Sequence, residues 1–276
     1  MRRAIDLLHL GTPNVICCHE VDGYVVDPGP ESAVSTLLDA LGGERPRAVL
    51  LTHIHFDHAG AAGALVRRWP DLEVWVHEVG APHMADPERL VGSARRLYGD
   101  DFDRLWGEVV PIPRENLRVL RGGEAIDGFR VAYTPGHARH HVCYLHEASG
   151  TAYTGDVAGV RIADGPILPP TPPPDIDLEA WHASIGVVRS WAPERLALTH
   201  FGVFEDDVRE HLAVLDEALR LWAEIARHTD AASYADAVRR RVAGFPAAEA
   251  VYQASPPETL WAGLDRYWTK RAEGVS

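Results

Sequence analysis

The chain has 276 residues, 46% of them apolar and 24% charged, a globular balance that excludes disordered, collagen-like and disulfide-scaffold proteins. That length suits two domains, or one large α/β domain with an appendage. A formal net charge of −13, with no Lys/Arg run longer than Arg239–Arg241, argues against a nucleic-acid backbone as partner.

Val15–His19 and Tyr24–Asp27 read as strands around Val21-Asp22-Gly23, and Asp-Gly is a hairpin signal. Pro30 to Leu41 reads as a helix closed by Gly42-Gly43. Ala48–Thr52 is a short apolar run, as expected of a strand buried on both faces. Ala59–Trp69 has helical composition, Glu73–His77 alternates like a strand, and Pro87–Tyr98 and Asp101–Trp106 read as helices. Four short strands follow at Leu117–Leu120, Phe129–Tyr133, Val142–His146 and Thr151–Thr154. Residues 164–175 are rich in proline and must be an extended loop. Leu178–Trp191 reads as a helix and Arg195–Thr199 as a strand, which completes a layered α/β pattern.

After Phe204 the strand signal stops. Val208, Leu212, Leu215, Leu219, Trp222 and Ile225 recur at helical spacing from about Asp206 to Arg227, and Tyr234–Val242 and Leu260–Trp268 add shorter helices. The expected division is therefore 1–205 and a helical appendage over 206–276. Trp222, Trp261 and Trp268 are expected to pack its core. The proline loop and the first tail helix are expected to narrow the mouth of any cleft.

The sequence starts Met1-Arg2-Arg3-Ala4-Ile5-Asp6, meeting an acid at once, which is unlike a secretory leader. No run approaches the roughly 18 apolar residues of a membrane span. Cys17, Cys18 and Cys143 are expected to be buried reduced thiols, and the expected location is cytoplasmic.

The histidines carry the chemical signal. His9, His19, His77, His83, His146, His182, His211 and His228 stand alone or on helix surfaces and are expected to be structural. Thr52-His53-Ile54-His55-Phe56-Asp57-His58 is the densest group, and it follows a buried strand, where α/β sites form. At a loop start, His53 and His55 can face one way and share an ion, with Asp57 and His58 free for a second. Three imidazoles and a carboxylate in six residues suit a borderline divalent ion such as zinc. His140 and His141 follow His137 closely and precede a strand, so at least one could face the cleft; the other reading is a supporting or surface pair. His141 is retained as a substrate contact. Arg161, five residues past Asp156, could fork onto a substrate carboxylate or form a surface ion pair, and is retained on the same terms.

The pattern resembles the metallo-β-lactamase fold hydrolases. Their His-x-His-x-Asp-His after a buried strand is matched by residues 53–58. Four further motifs match in order: Asp27 in Val26-Asp27-Pro28-Gly29, His137 after Thr134-Pro135-Gly136, Asp156 in Thr154-Gly155-Asp156, and His200 after Leu198-Thr199. The resemblance covers residues 1–205. It implies a four-layer αββα sandwich of two similar halves with a C-terminal helical appendage. It implies two divalent ions, most simply zinc with manganese or iron as alternatives, on His53, His55 and His137 and on Asp57, His58 and His200, bridged by Asp156. Asp27 would then hold the metal loop by hydrogen bonds, and Asp57 would also take a proton from the attacking water.

The implied activity is metal-dependent hydrolysis of a small ester, thioester or lactone by a metal-bridging hydroxide. Glyoxalase II-type thioesterases resemble the chain around Thr134–His137. They continue with Thr-x-Gly where this chain has Ala138-Arg139-His140-His141, and with Gly-Cys-Gly-Arg where it has Val157-Ala158-Gly159-Val160-Arg161. Flavodiiron oxygen reductases differ at His55, where they carry Glu. The alternative is an iron-dependent oxidoreductase similar to persulfide dioxygenases, with His53, His137 and Asp156 on one iron. No Gly-x-Ser-x-Gly, P-loop or Gly-x-Gly-x-x-Gly is present. The expected partner is a small molecule, with no nucleic acid and no membrane; a homodimer is compatible.

Overall fold

The computed structural model describes residues 2–274; Met1, Val275 and Ser276, at the ends of the expectations above, lie outside the described residues. Two compact units are formed, one by residues up to Tyr133 with His140–Tyr144, the other by Thr134–Arg139 with the chain from Leu145 onward.

The first unit carries a six-stranded sheet in sequence order: β1 (Arg2–Asp6), β2 (Cys17–Val21), β3 (Tyr24–Val26), β4 (Ala48–Leu50), β5 (Glu73–His77) and β6 (Leu117–Leu120). The first three strands are antiparallel and β3 to β6 run parallel. The predicted hairpin is present, with Val21 opposite Tyr24. Its turn residues Asp22 (φ 48°) and Gly23 (φ 84°) are both left-handed, the conformation that matches strand twist. Strand β4 lies between two parallel neighbours, and Val49, Leu50 and Leu51 are fully buried, as a continuous apolar run requires.

Its helices are α1 (Val34–Ala40), α2 (Phe56–Ala59), α3 (Ala62–Arg68), α4 (Ala81–Ala85), α5 (Glu88–Tyr98) and α6 (Phe102–Trp106). The helix expected over Ala59–Trp69 is α3, which begins at Ala62, after the short α2 and Gly60-Ala61. Phe56 packs edge-to-face on Phe102, centroids 5.4 Å apart, within a cluster that also takes Leu90, Val91, Tyr98 and Trp106. The short hairpin β7 (Ala125–Ile126) and β8 (Phe129–Tyr133) turns through Asp127-Gly128, and β9 (Val142–His146) follows.

The second unit holds β10 (Thr151–Tyr153), β11 (Arg195–Leu198) and β12 (Gly202–Phe204). Strand β10 is parallel to β11, and β11 is antiparallel to β12. Strand β12 spans three residues, too few for an alternating pattern to show in sequence. The second sheet has the strand order β12-β11-β10-β9-β8-β7.

Five helices complete this unit: α7 (Leu178–Ser190), α8 (Val208–Arg227), α9 (Ala231–Val242), α10 (Ala248–Ala254) and α11 (Pro257–Ala272). Asp177 and Asp230 cap α7 and α9 by accepting from the Ala180 and Ser233 amides. Helix α8 buries Leu212, Leu215, Leu219 and Trp222, the stripe its spacing predicts. Trp222 meets Tyr234 edge-to-face at 5.5 Å. The Trp261 and Trp268 indoles donate to the Thr229 and Ala223 carbonyls, so all three tryptophans pack and bridge helices. The proline loop is tied down by Thr171, whose hydroxyl donates to the Leu260 carbonyl. Among the described residues no helix is long and apolar enough to cross a membrane.

Gly136 sits at φ 132°, and a Cβ there would lie 2.3 Å from the Trp181 backbone. Neither strain can relax, because the obstructing atoms are main chain. Gly136→Ala is expected to destabilise the protein by more than about 1 kcal/mol, read as a lower midpoint in urea unfolding.

Candidate metal centre

In the first unit the donors grow out of the carboxyl end of β4. Asp27, at the end of β3, is fully buried and takes a left-handed φ of 49°. Its amide donates to the Leu50 carbonyl. Its carboxylate accepts from the Thr52 amide at 2.8 Å, the Thr52 hydroxyl at 2.7 Å and His58 Nδ1 at 2.8 Å. Because Nδ1 of His58 is spent on Asp27, its Nε2 is the atom left to act as a metal donor. Thr52 hands the polarity on: its hydroxyl donates to Asp27, so its oxygen accepts from His53 Nδ1 at 3.1 Å. His53 Nε2 then lies 2.9 Å from His55 Nδ1.

His55 is also the extended residue that starts α2, and its carbonyl accepts from the His58 and Ala59 amides. That tight turn puts Asp57 and His58 beside the earlier pair: the His53 and His58 rings are 4.0 Å apart, and His58 Nε2 is 3.8 Å from Asp57 Oδ2. The Asp57 side chain is 23% exposed while that of Asp27 has no exposure. His140 accepts from the Ile54 amide at 3.3 Å and lies parallel to the His53 ring. His141 is fully buried and stacks on His53 at 5.0 Å.

The second unit presents Asp156 and His200 past the carboxyl ends of the parallel pair β10 and β11, and His137 on the segment after β8. Asp156 rides on a single 3-10 turn, Gly155–Ala158, directly after β10, and His200 follows β11. Asp156 Oδ2 is 3.2 Å from His137 Nε2 and Oδ1 is 3.7 Å from His200 Nε2. One carboxylate thus gives one oxygen to each of two imidazoles. His137 is oriented by Nδ1, which donates to the Pro170 carbonyl at 2.8 Å, and the Trp181 ring meets it edge-on at 5.4 Å. The Arg161 guanidinium lies 4.5 Å over the Phe204 ring, and the Arg161 amide donates to the His200 carbonyl.

Sequence reading did not single out the Pro170 carbonyl, the Trp181 indole or His211. His211, on α8, is buried and donates from Nε2 to the Ala158 carbonyl at 2.8 Å. Burial pushes its pKa down to about 4, with the nearby Arg161 charge adding to the fall. A lone histidine on a helix carries no sequence mark that separates such a residue from an exposed one. Cys17, Cys18 and Cys143 are buried thiols, as expected.

His53, His58 and His137 are buried imidazoles, each with a hydrogen bond on Nδ1, set among carboxylates. This is the chemistry of a borderline divalent ion.

Residues 14–200 match the family model described as the metallo-beta-lactamase superfamily. A metallo-beta-lactamase fold-containing protein of Sulfurisphaera tokodaii is 28% identical over 218 residues, 75% of this chain and 79% of that protein. A hydroxyacylglutathione hydrolase of Xanthomonas euvesicatoria is 32% identical over 133 residues, 48% of this chain; the match spans 40% of that hydrolase's length. Among solved structures, an archaeal metallo-beta-lactamase superfamily protein from Sulfolobus tokodaii superposes with a TM-score of 0.71 at 24% identity, over 95% of this chain and 97% of that one. TTHA1623 in a di-iron-bound form gives a TM-score of 0.52 at 26% identity, over 77% and 90%. The fold is therefore an α/β sandwich of the expected class, with C-terminal helices.

Asp27→Asn replaces an acceptor of three donors by a group that must point an N–H at one of them. It is expected to cost about 2–4 kcal/mol in urea unfolding. His211 contributes a pH term of known sign. Its folded pKa of about 4 is below the ordinary 6.5, so between those values the unfolded chain binds a proton that the folded one refuses. Stability of the metal-free protein should fall as pH drops from 7 to 4.5, with about 2–3 kcal/mol of the fall absent in His211→Gln.

Proposed function

The chain belongs to the metallo-β-lactamase superfamily, and we propose that within it the protein is a dimetal hydrolase of small esters, thioesters or lactones. The observation that carries this reading is Asp156, whose two oxygens are divided between His137 and His200. In this reading His53, His55 and His137 would hold one ion and Asp57, His58 and His200 the other, with Asp156 shared between them. Bound divalent ions would lower the pKa of a water from near 16 toward about 7 and so make a nucleophile available at neutral pH.

The protein's own residues do the rest. Asp27 holds His58, and through Thr52 it holds His53, in the tautomers that leave Nε2 as the donor. Asp57 is the most solvent-accessible carboxylate of the set, with 23% side-chain exposure against 5% for Asp156, so its Oδ is the place to receive a proton from the attacking water. His141, buried and stacked on the His53 ring, remains a candidate substrate contact. Arg161 is half-buried and remains the residue for a substrate carboxylate.

The one lysine, Lys270, is on α11, so no ammonium on the donor-bearing segments can protonate a poor leaving group. Leaving groups that depart easily, such as thiolates and activated alkoxides, fit that lack better than amines. The hydroxyacylglutathione hydrolases among the relatives point the same way.

Two metals per chain are expected by elemental analysis, and Asp156→Ala should lose metal and all hydrolysis. Asp27→Asn should reduce metal affinity roughly 10–100-fold. A small thioester and a lactone should be turned over faster than a penicillin or a single-stranded RNA. Tenfold preference for the latter pair, about 1.4 kcal/mol in barrier, would overturn the substrate assignment. Iron with oxygen uptake on a persulfide would favour an oxidoreductase instead, in line with the di-iron form of TTHA1623.

A further inference from the structure

The 3-10 turn Gly155–Ala158 is fully buried and stops at Gly159. A helical turn this short leaves its last carbonyls without intrahelical partners, and a buried carbonyl needs one. Two side chains from different helices supply them. The Trp181 indole, on α7, donates to the Val157 carbonyl at 3.0 Å, and His211, on α8, donates from Nε2 to the Ala158 carbonyl at 2.8 Å. Trp181 has no solvent exposure and His211 is 2% exposed. Val157 and Ala158 are the two residues directly after Asp156.

We propose that Trp181 and His211 are positioning residues for metal binding, a pair of uncharged donors that clamp the turn carrying Asp156. This inference rests on the dimetal reading above. The clamp reaches further than Asp156. Trp181 also sets its ring edge against His137 at 5.4 Å, and His211 lies 5.9 Å from the Phe204 ring that Arg161 covers. Arg161 and the His200 segment are joined by two backbone hydrogen bonds, from the Arg161 amide to the His200 carbonyl and from the Phe201 amide to the Arg161 carbonyl. All three donors of this unit are therefore gripped from one network.

The chemistry of the two donors suits the task. An indole N–H is always neutral, and the depressed pKa of His211 keeps its imidazole neutral as well. Neither adds a positive charge beside a carboxylate that must hold cations. A lysine or arginine could fill the same hydrogen bonds, but would compete for Asp156.

The test uses Trp181→Phe, which removes the N–H and keeps a ring against His137, with His211→Phe and His211→Gln; the glutamine retains a neutral N–H donor. Two readouts are taken: zinc affinity by competition with a chelating dye, and amide hydrogen exchange of residues 155–161 in the metal-free proteins. Trp181→Phe and His211→Phe should each weaken zinc binding about 10–100-fold. Exchange across 155–161 should quicken while the strands of the first unit keep their protection. His211→Gln should recover most of the affinity lost in His211→Phe. Unchanged zinc affinity and unchanged exchange in a folded Trp181→Phe would overturn the clamp, and that variant decides the matter even if His211→Phe does not fold. If the wild type itself binds no zinc, manganese or iron, the dimetal reading fails and this inference falls with it. If it binds two ions and the variants bind them equally well, only the clamp is wrong.

Discussion

The buried carboxylate of Asp27 is the constraint on which the first donor set depends. It has no exposure and accepts from the Thr52 amide, the Thr52 hydroxyl and His58 Nδ1. A carboxylate in such a place is costly unless its lone pairs are filled, and three donors fill them. The consequence is directional. The protons needed to satisfy Asp27 are taken from one side of the metal loop, so the lone pairs of His53 and His58 are left on the other. A charge buried for the sake of hydrogen bonding thus sets the tautomer of two imidazoles.

The second unit reaches the same end by other means. Here the Pro170 carbonyl takes the Nδ1 proton of His137. The proline loop therefore orients a donor, and it is held in turn to α11 by the Thr171 hydroxyl, which donates to the Leu260 carbonyl. Prolines suit this role because their carbonyls remain as acceptors while the ring removes the competing N–H. Asp156 is held through its neighbours' carbonyls. In both units donors other than His137 project from the carboxyl ends of parallel strands, where the chain leaves a rigid sheet and backbone groups become available.

Much of this was legible in advance. The continuous run at β4, the Asp-Gly hairpin between β2 and β3 and the apolar stripe of α8 are local patterns, set by side-chain period and turn chemistry, and each falls where expected. The failures share a cause. Strand β12, with three residues, and helices α4 and α10, with five and seven, are too short for a period to repeat. The helix expected from Ala59 starts at Ala62 instead, because Phe56–Ala59 form a separate short turn, α2, that carries Asp57 and His58.

Which side chains could serve a metal was legible in the residues alone. Residues 53–58 and the isolated His137, Asp156 and His200 are chemistry that no packing can change, and their order along the chain names the family. Only the tertiary structure decided which nitrogen of each ring is offered and what keeps it there. Thr52 meets a residue 25 positions away, His137 one 33 away, and His211 one 53 away. A hydrogen bond of that span depends on where the strands and helices deliver two distant groups. Its donor and acceptor leave no pattern in the stretch of sequence around either one, and so His211 reads as one more histidine on a helix until α8 is seen against the turn that carries Asp156.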